Sequence, residues 1–390
     1  MSLQATRAFT PAVPIQSDSL FAGRLPQVTK LVDAINQPGQ HAVLYGERGT
    51  GKTSLANILS ARWQGLSYII APRIGCLSSD SYMDLWRKAL REINLTAGKS
   101  RAGFRPETRQ ENLPASQSLP DGFTHTDVRE LVTQIGEQAV LVLIFDEFDT
   151  LAPATRKTMA ETVKLFSDYA VPATVIFVGV ADSVGQLLKE HRSLERALVQ
   201  VRMPRMPDEE LMEIIDNGMK ELGMTIVPSA SSRITSLSRG LPHYTHLLGL
   251  HAARSALKRK VMIVMSDDVE SAVKTALEDA QQSTIEAYIK AVSSAQKNHL
   301  YRQVLLGCAM ATPNELGYFT AASVSGPLSR IMRKKYDVPS YARHLNEFCG
   351  EKRGHVLERI GETRHFRFRF SNPLMQPYVM LQGHATKMIP

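Results

Sequence analysis

The sequence predicts an α/β fold: a parallel sheet covered by helices on both faces, followed by an all-helical segment. Residues 140–145 (Val-Leu-Val-Leu-Ile-Phe) and 174–178 (Thr-Val-Ile-Phe-Val) are short, almost wholly apolar runs that read as strands buried on both faces. Segments with helical apolar spacing separate such runs, the alternation a parallel sheet requires. From Pro207 to about residue 290 every recognisable segment is helical, and this change of pattern places a domain boundary near residue 205.

A chain of 390 residues exceeds the roughly 250–300 at which single cores stop growing, so two or three domains are expected. Hydrophobic content of 43% with 22% charged residues is that of a globular protein. No stretch approaches the roughly 18 apolar residues of a membrane span, and residues 1–21 contain no apolar run of signal-peptide length. A cytoplasmic protein with no membrane contact is expected. Cys76, Cys308 and Cys349 are far apart and in no metal-ligand spacing, which fits structural thiols in a reducing compartment.

The formal net charge of +8 is unevenly placed. Residues 297–390 hold 14 Lys and Arg against 6 Asp and Glu, while the rest of the chain balances at 32 against 32. Such a confined excess points to a polyanionic partner such as nucleic acid, or to a solvated basic face that binds nothing.

Taken in order, residues 42–45 form an apolar run that leads through a Gly-rich turn into helical spacing over 54–63. Residues 67–71 read as a second strand and 81–93 as a helix. Residues 97–126, rich in Gly, Pro, Ser, Asn and Gln, show little periodicity and read as a surface insertion. Helices are expected over 208–222, 230–238, 242–258 and 266–292. In the basic segment, helices over 297–311, 321–335 and 340–350 precede strands 356–360 and 365–370. In the last strand Phe366, Phe368 and Phe370 alternate with Arg367 and Arg369, and Gly361-Glu362-Thr363 supplies the turn. Three helices and a β-hairpin make a winged helix.

Gly46-Glu47-Arg48-Gly49-Thr50-Gly51-Lys52-Thr53, followed by Ser54, satisfies the P-loop pattern between a strand and a helix. Glycines let successive backbone N–H groups face phosphates, and the helix presents its positive end to them. Lys52 is expected on the β and γ phosphates of ATP and the Thr53 hydroxyl on Mg²⁺. The strand at 140–145 ends in Asp146 and Glu147, two carboxylates at the carboxyl end of a buried strand, where open α/β sheets bind ligands. Asp146 suits the Mg²⁺ shell, and Glu147 suits polarisation of the attacking water.

The P-loop, the Asp146-Glu147 pair, a third strand ending in Phe177-Val178-Gly179-Val180-Ala181-Asp182 and a following helical segment together resemble an AAA+ ATPase. Leu20-Phe21-Ala22-Gly23-Arg24 resembles the segment that lies against the adenine in the origin-recognition and initiator branch, which implies nucleotide contacts at Gly23 and Arg24. Gly240-Leu241-Pro242-His243 resembles the Gly-x-Pro of signal-transduction (STAND) ATPases, with Pro242 against the adenine and His243 where a sensor Arg usually stands. The first-sensor position falls on Asp182, with Ser183 beside it, where the family usually has a small polar residue. The resemblance also implies an arginine finger from a neighbouring subunit, at Arg196 or, second, Arg192.

The expected organisation is an N-terminal arm (1–19), an ATPase core (20–205, with the insertion at 97–126), a helical lid (206–294) and a winged helix (295–390). Arg330, Arg333, Lys334, Lys335 and Arg343 on its helices, with Arg359, Arg364, Arg367 and Arg369 on its hairpin, are candidate duplex DNA contacts. A winged helix used for protein contacts is the alternative, and the apolar stretch 373–378 fits it. The expectation is a homo-oligomeric, ATP-controlled DNA-binding switch that acts on a separate effector protein. The alternatives are a STAND-like signalling ATPase that regulates an effector without DNA, and a nucleotide-binding scaffold.

Overall fold

The computed structural model describes residues 2–11, 22–66, 68–100, 108–181, 184–187, 196–296, 299–314, 316–362 and 365–389. The chain divides into two compact units: residues 24–46 with 52–203, and residues 1–23 with 47–51 and 204–390.

In the first unit the strands are β1 (His41–Gly46), β2 (Ile69–Ile70), β3 (Arg73–Gly75), β4 (Asn94–Ser100), β5 (Thr108–Pro114), β6 (Val140–Asp146), β7 (Ala173–Val180) and β8 (Leu198–Met203). The sheet order is β2-β6-β7-β1-β8, with β3 also on β6, and the pairs are parallel. β6 and β7 are buried along almost their whole lengths, as their unbroken apolar sequences demand. Parallel register brings the carboxyl ends to one edge: Gly46 lies opposite Val180, and Gly75 opposite Asp146.

Helices Leu25–Ile35, Lys52–Gln64, Tyr82–Arg91, His125–Gly136 and Pro153–Asp168 accompany the sheet. Capping boxes start two of them, Ser81 with Asp84 and Thr124 with Asp127. Fully buried Trp86 anchors the core, with its ring centroid 5.6 Å from those of both Phe145 and Phe166.

The stretch read as a surface insertion, 97–126, carries regular structure that its sequence does not announce. β4 and β5 form an antiparallel ribbon in register from Asn94–Pro114 to Ser100–Thr108, and a regular helix already begins at His125. β8, absent from the sequence reading, pairs with β1 along its whole length.

The second unit is mainly helical: Ser2–Ala8, Asp208–Glu221, Pro228–Ser238, Pro242–Lys258, Ser266–Glu278, Gln282–Val292, Tyr301–Met310, Ala321–Met332, Val338–Phe348 and Met375–Ala385. The helix expected over 266–292 is broken at residues 279–281. Strands β9 (Thr225–Ile226) and β10 (Ile263–Val264) pair in parallel. The strands β11 (Phe319–Thr320), β12 (Leu357–Ile360) and β13 (Arg367–Phe370) form an antiparallel sheet in the order β11-β13-β12.

One apolar cluster runs through this unit, from Phe9 through Leu248 and Val304 to Leu381. Phe9 is fully buried, and a Cβ added at Gly218 or Gly249 would fall 2.4 or 2.6 Å from its ring. Ala5, Ala8 and Phe9, within the segment read as an arm, therefore belong to the core, and two helix-interior glycines make room for the Phe9 ring. Of the apolar stretch 373–378, residues 375–378 lie in a helix with Met375, Gln376, Pro377 and Tyr378 all buried. Among the described residues no helix is long and apolar enough to cross a membrane.

Candidate functional site

β1 runs into the P-loop, and the helix Lys52–Gln64 leaves it. Gly49 and Gly51 adopt φ of 85° and 89°, a left-handed backbone that favours glycine, so their spacing has a conformational cause. Buried Thr50 ties the turn by donating its hydroxyl to the Glu47 carbonyl at 2.8 Å. Lys52 is buried and donates Nζ to the Gly46 carbonyl at 3.0 Å, so its ammonium is folded back over the start of the loop. Arg48 is exposed and Ser54 half-buried.

Glu47 is the unexpected member of this loop. It is buried and accepts from Arg205 Nε at 2.7 Å and Nη2 at 2.9 Å, a two-pronged pair. Arg205 Nη1 also donates to Gln376 Oε1 at 2.5 Å and to the Arg239 carbonyl at 3.1 Å, and Gln376 Nε2 donates to the Ala309 carbonyl at 2.8 Å. A charged chain thus links the P-loop tip to the Met375–Ala385 helix. Arg205, between Pro204 and Met206, carries no motif that marks it in sequence. Gly51 faces Pro242, whose Cγ would lie 3.8 Å from a Cβ placed on the glycine, and Leu374 is closer still to Gly49, with Cδ2 3.2 Å from a Cβ placed there.

At the end of β6, Asp146 is only 2% exposed. Its Oδ1 lies 3.4 Å from the Thr53 hydroxyl and accepts the Glu147 N–H at 2.9 Å. Neighbouring ligands of an octahedral cation bound at 2.0–2.1 Å stand roughly 2.9 Å apart. Thr53 and Asp146 therefore fit a Mg²⁺ with a small closing movement. Asp146 Oδ2 accepts from Arg73 Nη1 at 2.6 Å, a contact that sequence reading did not find.

Glu147 is exposed and has a left-handed backbone, φ 57° and ψ 34°. The Thr150 hydroxyl donates to the Glu147 carbonyl at 2.7 Å and holds that turn. Asp149 Oδ1 accepts the Val180 N–H at 2.8 Å, fixing the end of β7, while Phe148 stacks on Phe177 at 4.1 Å. The neighbouring Cys76 thiol is buried and pushed up to about 12 by desolvation and then by Asp80 and Asp146. It is an inert thiol at neutral pH.

Gly23 donates its N–H to Glu213 at 2.9 Å, and Arg24 is buried with φ 63°. Pro242 is the buried first residue of its helix. His243 Nδ1 lies 2.8 Å from the Pro11 carbonyl, and burial moves its pKa down despite that bond. Asp182, Ser183 and Arg192 lie outside the described residues, and Arg196 is exposed.

In the basic segment, Arg330, Arg333, Lys334 and Lys335 are exposed at the end of the Ala321–Met332 helix and in the turn after it, the helix ending three residues before the expected Lys335. Arg343 on that helix pairs with Glu347 at 2.6 Å. Arg359 and Arg367 are exposed, with Arg359 over the Phe366 ring at 4.1 Å. Arg369 differs from expectation: it is bonded to Glu358 on the paired strand and lies over the Tyr318 ring at 4.5 Å. Register explains this, because Glu358 lies directly opposite it. Arg364 lies outside the described residues.

A parallel sheet with a P-loop after β1 and an Asp-Glu pair after β6 defines a P-loop nucleotide-binding protein. Residues 20–178 match the family described as AAA ATPase domain, and the fold of the chain is like that of several solved structures. The chain is similar in structure to the Walker-type ATPase PABY2304 of Pyrococcus abyssi, with 16% identity, a TM-score of 0.55 and coverage of 95% of this chain and 98% of that one. It is also similar to the Aeropyrum pernix ORC1 protein solved in complex with DNA, with 13% identity, a TM-score of 0.50 and coverage of 98% and 97%. The Aeropyrum pernix ORC2 protein, in ADPNP-ADP complexes, gives 13%, 0.50 and coverage of 97% and 98%. No curated protein matches the chain.

Proposed function

We propose that this chain is a Mg²⁺-dependent ATPase that works as an oligomerising switch and engages duplex DNA through its basic segment, residues 295–390, arranged as a winged helix after a helical lid (206–294). Lys52 and the N–H groups of residues 46–54 bind the triphosphate, and Thr53 and Asp146 hold the metal, which supplies positive charge to the phosphate oxygens. Glu147 orients and deprotonates the attacking water. By the same family resemblance Gly23, Arg24, Pro242 and His243 are further nucleotide contacts, and Arg196 serves a neighbouring subunit as its arginine finger.

The observation that carries the DNA reading is the placement of Arg330, Arg333, Lys334 and Lys335, exposed at the end of the Ala321–Met332 helix and in the turn that leads into the Val338–Phe348 helix, with Arg359 and Arg367 exposed on the adjoining sheet. Cations at a helix entry and on a wing neutralise phosphates on either side of an inserted helix. The experiment is duplex binding by the full chain with ATP across a salt series. If these six cations each meet a phosphate, log Kd changes with log salt by a slope of about 5. Duplex should also raise ATP turnover. No binding at low salt ends the DNA reading.

A second reading, a STAND-like ATPase that holds or releases a protein effector, draws on the chain from Glu47 through Arg205 to Gln376, which couples the P-loop to the final helix. Turnover that ignores duplex but alters the activity of a separate effector protein would select it.

A further inference from the structure

We propose that Arg73 is a built-in cation for the metal-binding carboxylate: it holds Asp146 when no metal is present and must yield that carboxylate's charge to Mg²⁺ as the metal–nucleotide complex binds. The inference rests on the ATPase reading and deepens it. Asp146 is buried, and a carboxylate withdrawn from water needs a counter-charge. Arg73 supplies it through Nη1 on Oδ2 at 2.6 Å, leaving Oδ1 turned to Thr53 and the Glu147 N–H. One carboxylate is thus divided, with one oxygen toward the metal side and the other on a fixed cation.

Topology makes the arrangement specific. Arg73 opens β3 opposite Ile144, and Gly75 ends it opposite Asp146, so residues 73 and 75 share a face of the sheet edge. A Cβ added at Gly75 would meet nothing within 4 Å. Open space beside Asp146, together with an Arg73 side chain that is 32% exposed, lets the guanidinium turn away without collision.

Two consequences follow for binding. Without metal, Arg73 cancels the charge of Asp146, so a triphosphate does not face a bare carboxylate. With metal, guanidinium and Mg²⁺ repel across the same group, which weakens the metal's hold. Removing the guanidinium therefore weakens metal-free nucleotide binding and strengthens metal-dependent binding. The ratio of the Kd for a fluorescent ATP analogue in EDTA to that in saturating Mg²⁺ reports both effects.

The test is that ratio for the full-length chain and for Arg73→Gln and Arg73→Lys. Arg73→Gln is expected to raise it about tenfold or more, the factor that corresponds to 1.4 kcal/mol in an equilibrium constant. Arg73→Lys, which keeps the charge, stays near the unaltered value. A ratio for Arg73→Gln within twofold of the unaltered chain overturns the inference. If Arg73→Gln does not fold, Mn²⁺ binding to the unaltered chain without nucleotide, followed by electron paramagnetic resonance, decides. No Mn²⁺ binding below about millimolar, the range of weak divalent-cation sites, supports the inference, and tighter binding overturns it. Failure of the unaltered chain to bind the analogue in either buffer refutes the ATPase reading itself, and with it the inference built on that reading.

Discussion

Replacing Arg205 by Met keeps the aliphatic length of the side chain but removes the guanidinium from Glu47. The pair is well shielded, with the side chains 10% and 5% exposed, so the loss is not screened as a surface ion pair would be. Breaking a buried pair from one side costs about 3–5 kcal/mol, because a buried charge is stripped of its partner. Against a total stability of roughly 5–15 kcal/mol, that is a large fraction. At roughly 2–4 °C per kcal/mol for a unit of this size, the melting midpoint should fall on the order of 10 °C. Circular dichroism melting of the full chain would read the shift, and the affinity for the ATP analogue should drop with it, since the loop holding Glu47 loses its anchor. The double variant Glu47→Gln/Arg205→Met removes the buried charge as well as its partner and should melt above Arg205→Met alone. The reasoning is refuted if Arg205→Met costs less than about 1 kcal/mol, the scale of an exposed pair, or if the double variant loses the sum of the two single effects.

Three other predictions bear on different parts of the molecule. Glu147→Gln should lower ATP turnover by about 10²–10⁴-fold, the usual contribution of a general base, with analogue affinity nearly unchanged; steady-state kinetics beside a binding titration checks both. Burial pushes the imidazoles of His41 and His246 down to about 4, so between pH 6.5 and 4 the unfolded chain binds protons that the folded chain does not. Stability should therefore be full above pH 6.5 and fall by about 1.4 kcal/mol per pH unit for each histidine as pH drops through that window, measured as urea midpoints; His41→Gln should flatten the slope. Phe9→Ala empties a site formed by two glycines and should cost about 3–5 kcal/mol by chemical denaturation.

Much of the α/β unit was legible in sequence because its strands are hydrophobic on both faces, and a run such as that of β6 has few other uses. The P-loop was legible for a related reason, since the left-handed turns at Gly49 and Gly51 demand a particular residue type. What escaped reading leaves no mark in the local pattern of residue types. β4 and β5 contain Asn, Gly, Lys, Glu and Pro, poor strand formers, and their pairing is local backbone bonding that no apolar pattern announces. The break after Glu278 has no Gly or Pro to mark it. Arg73 and Arg205 look like ordinary cations until the sheet register and the final helix bring them to Asp146 and Glu47. Alternation in 365–370 was read correctly as a strand, yet it does not show that Arg369 faces Glu358 while Arg367 faces solvent.

The position of Phe9 has a consequence for the order in which the protein can assemble. Thr10 bonds to His246, 236 residues away, and Phe9 occupies a slot between Gly218 and Gly249. At roughly 5–20 residues per second, a ribosome needs about 10–50 s between making the phenylalanine and completing its slot. The α/β unit, encoded between them, can close in that interval while the earlier segment waits with an exposed aromatic ring. The helical unit is thus finished by a piece of chain made long before its partners, and a chaperone that shields that ring should raise the yield of folded protein.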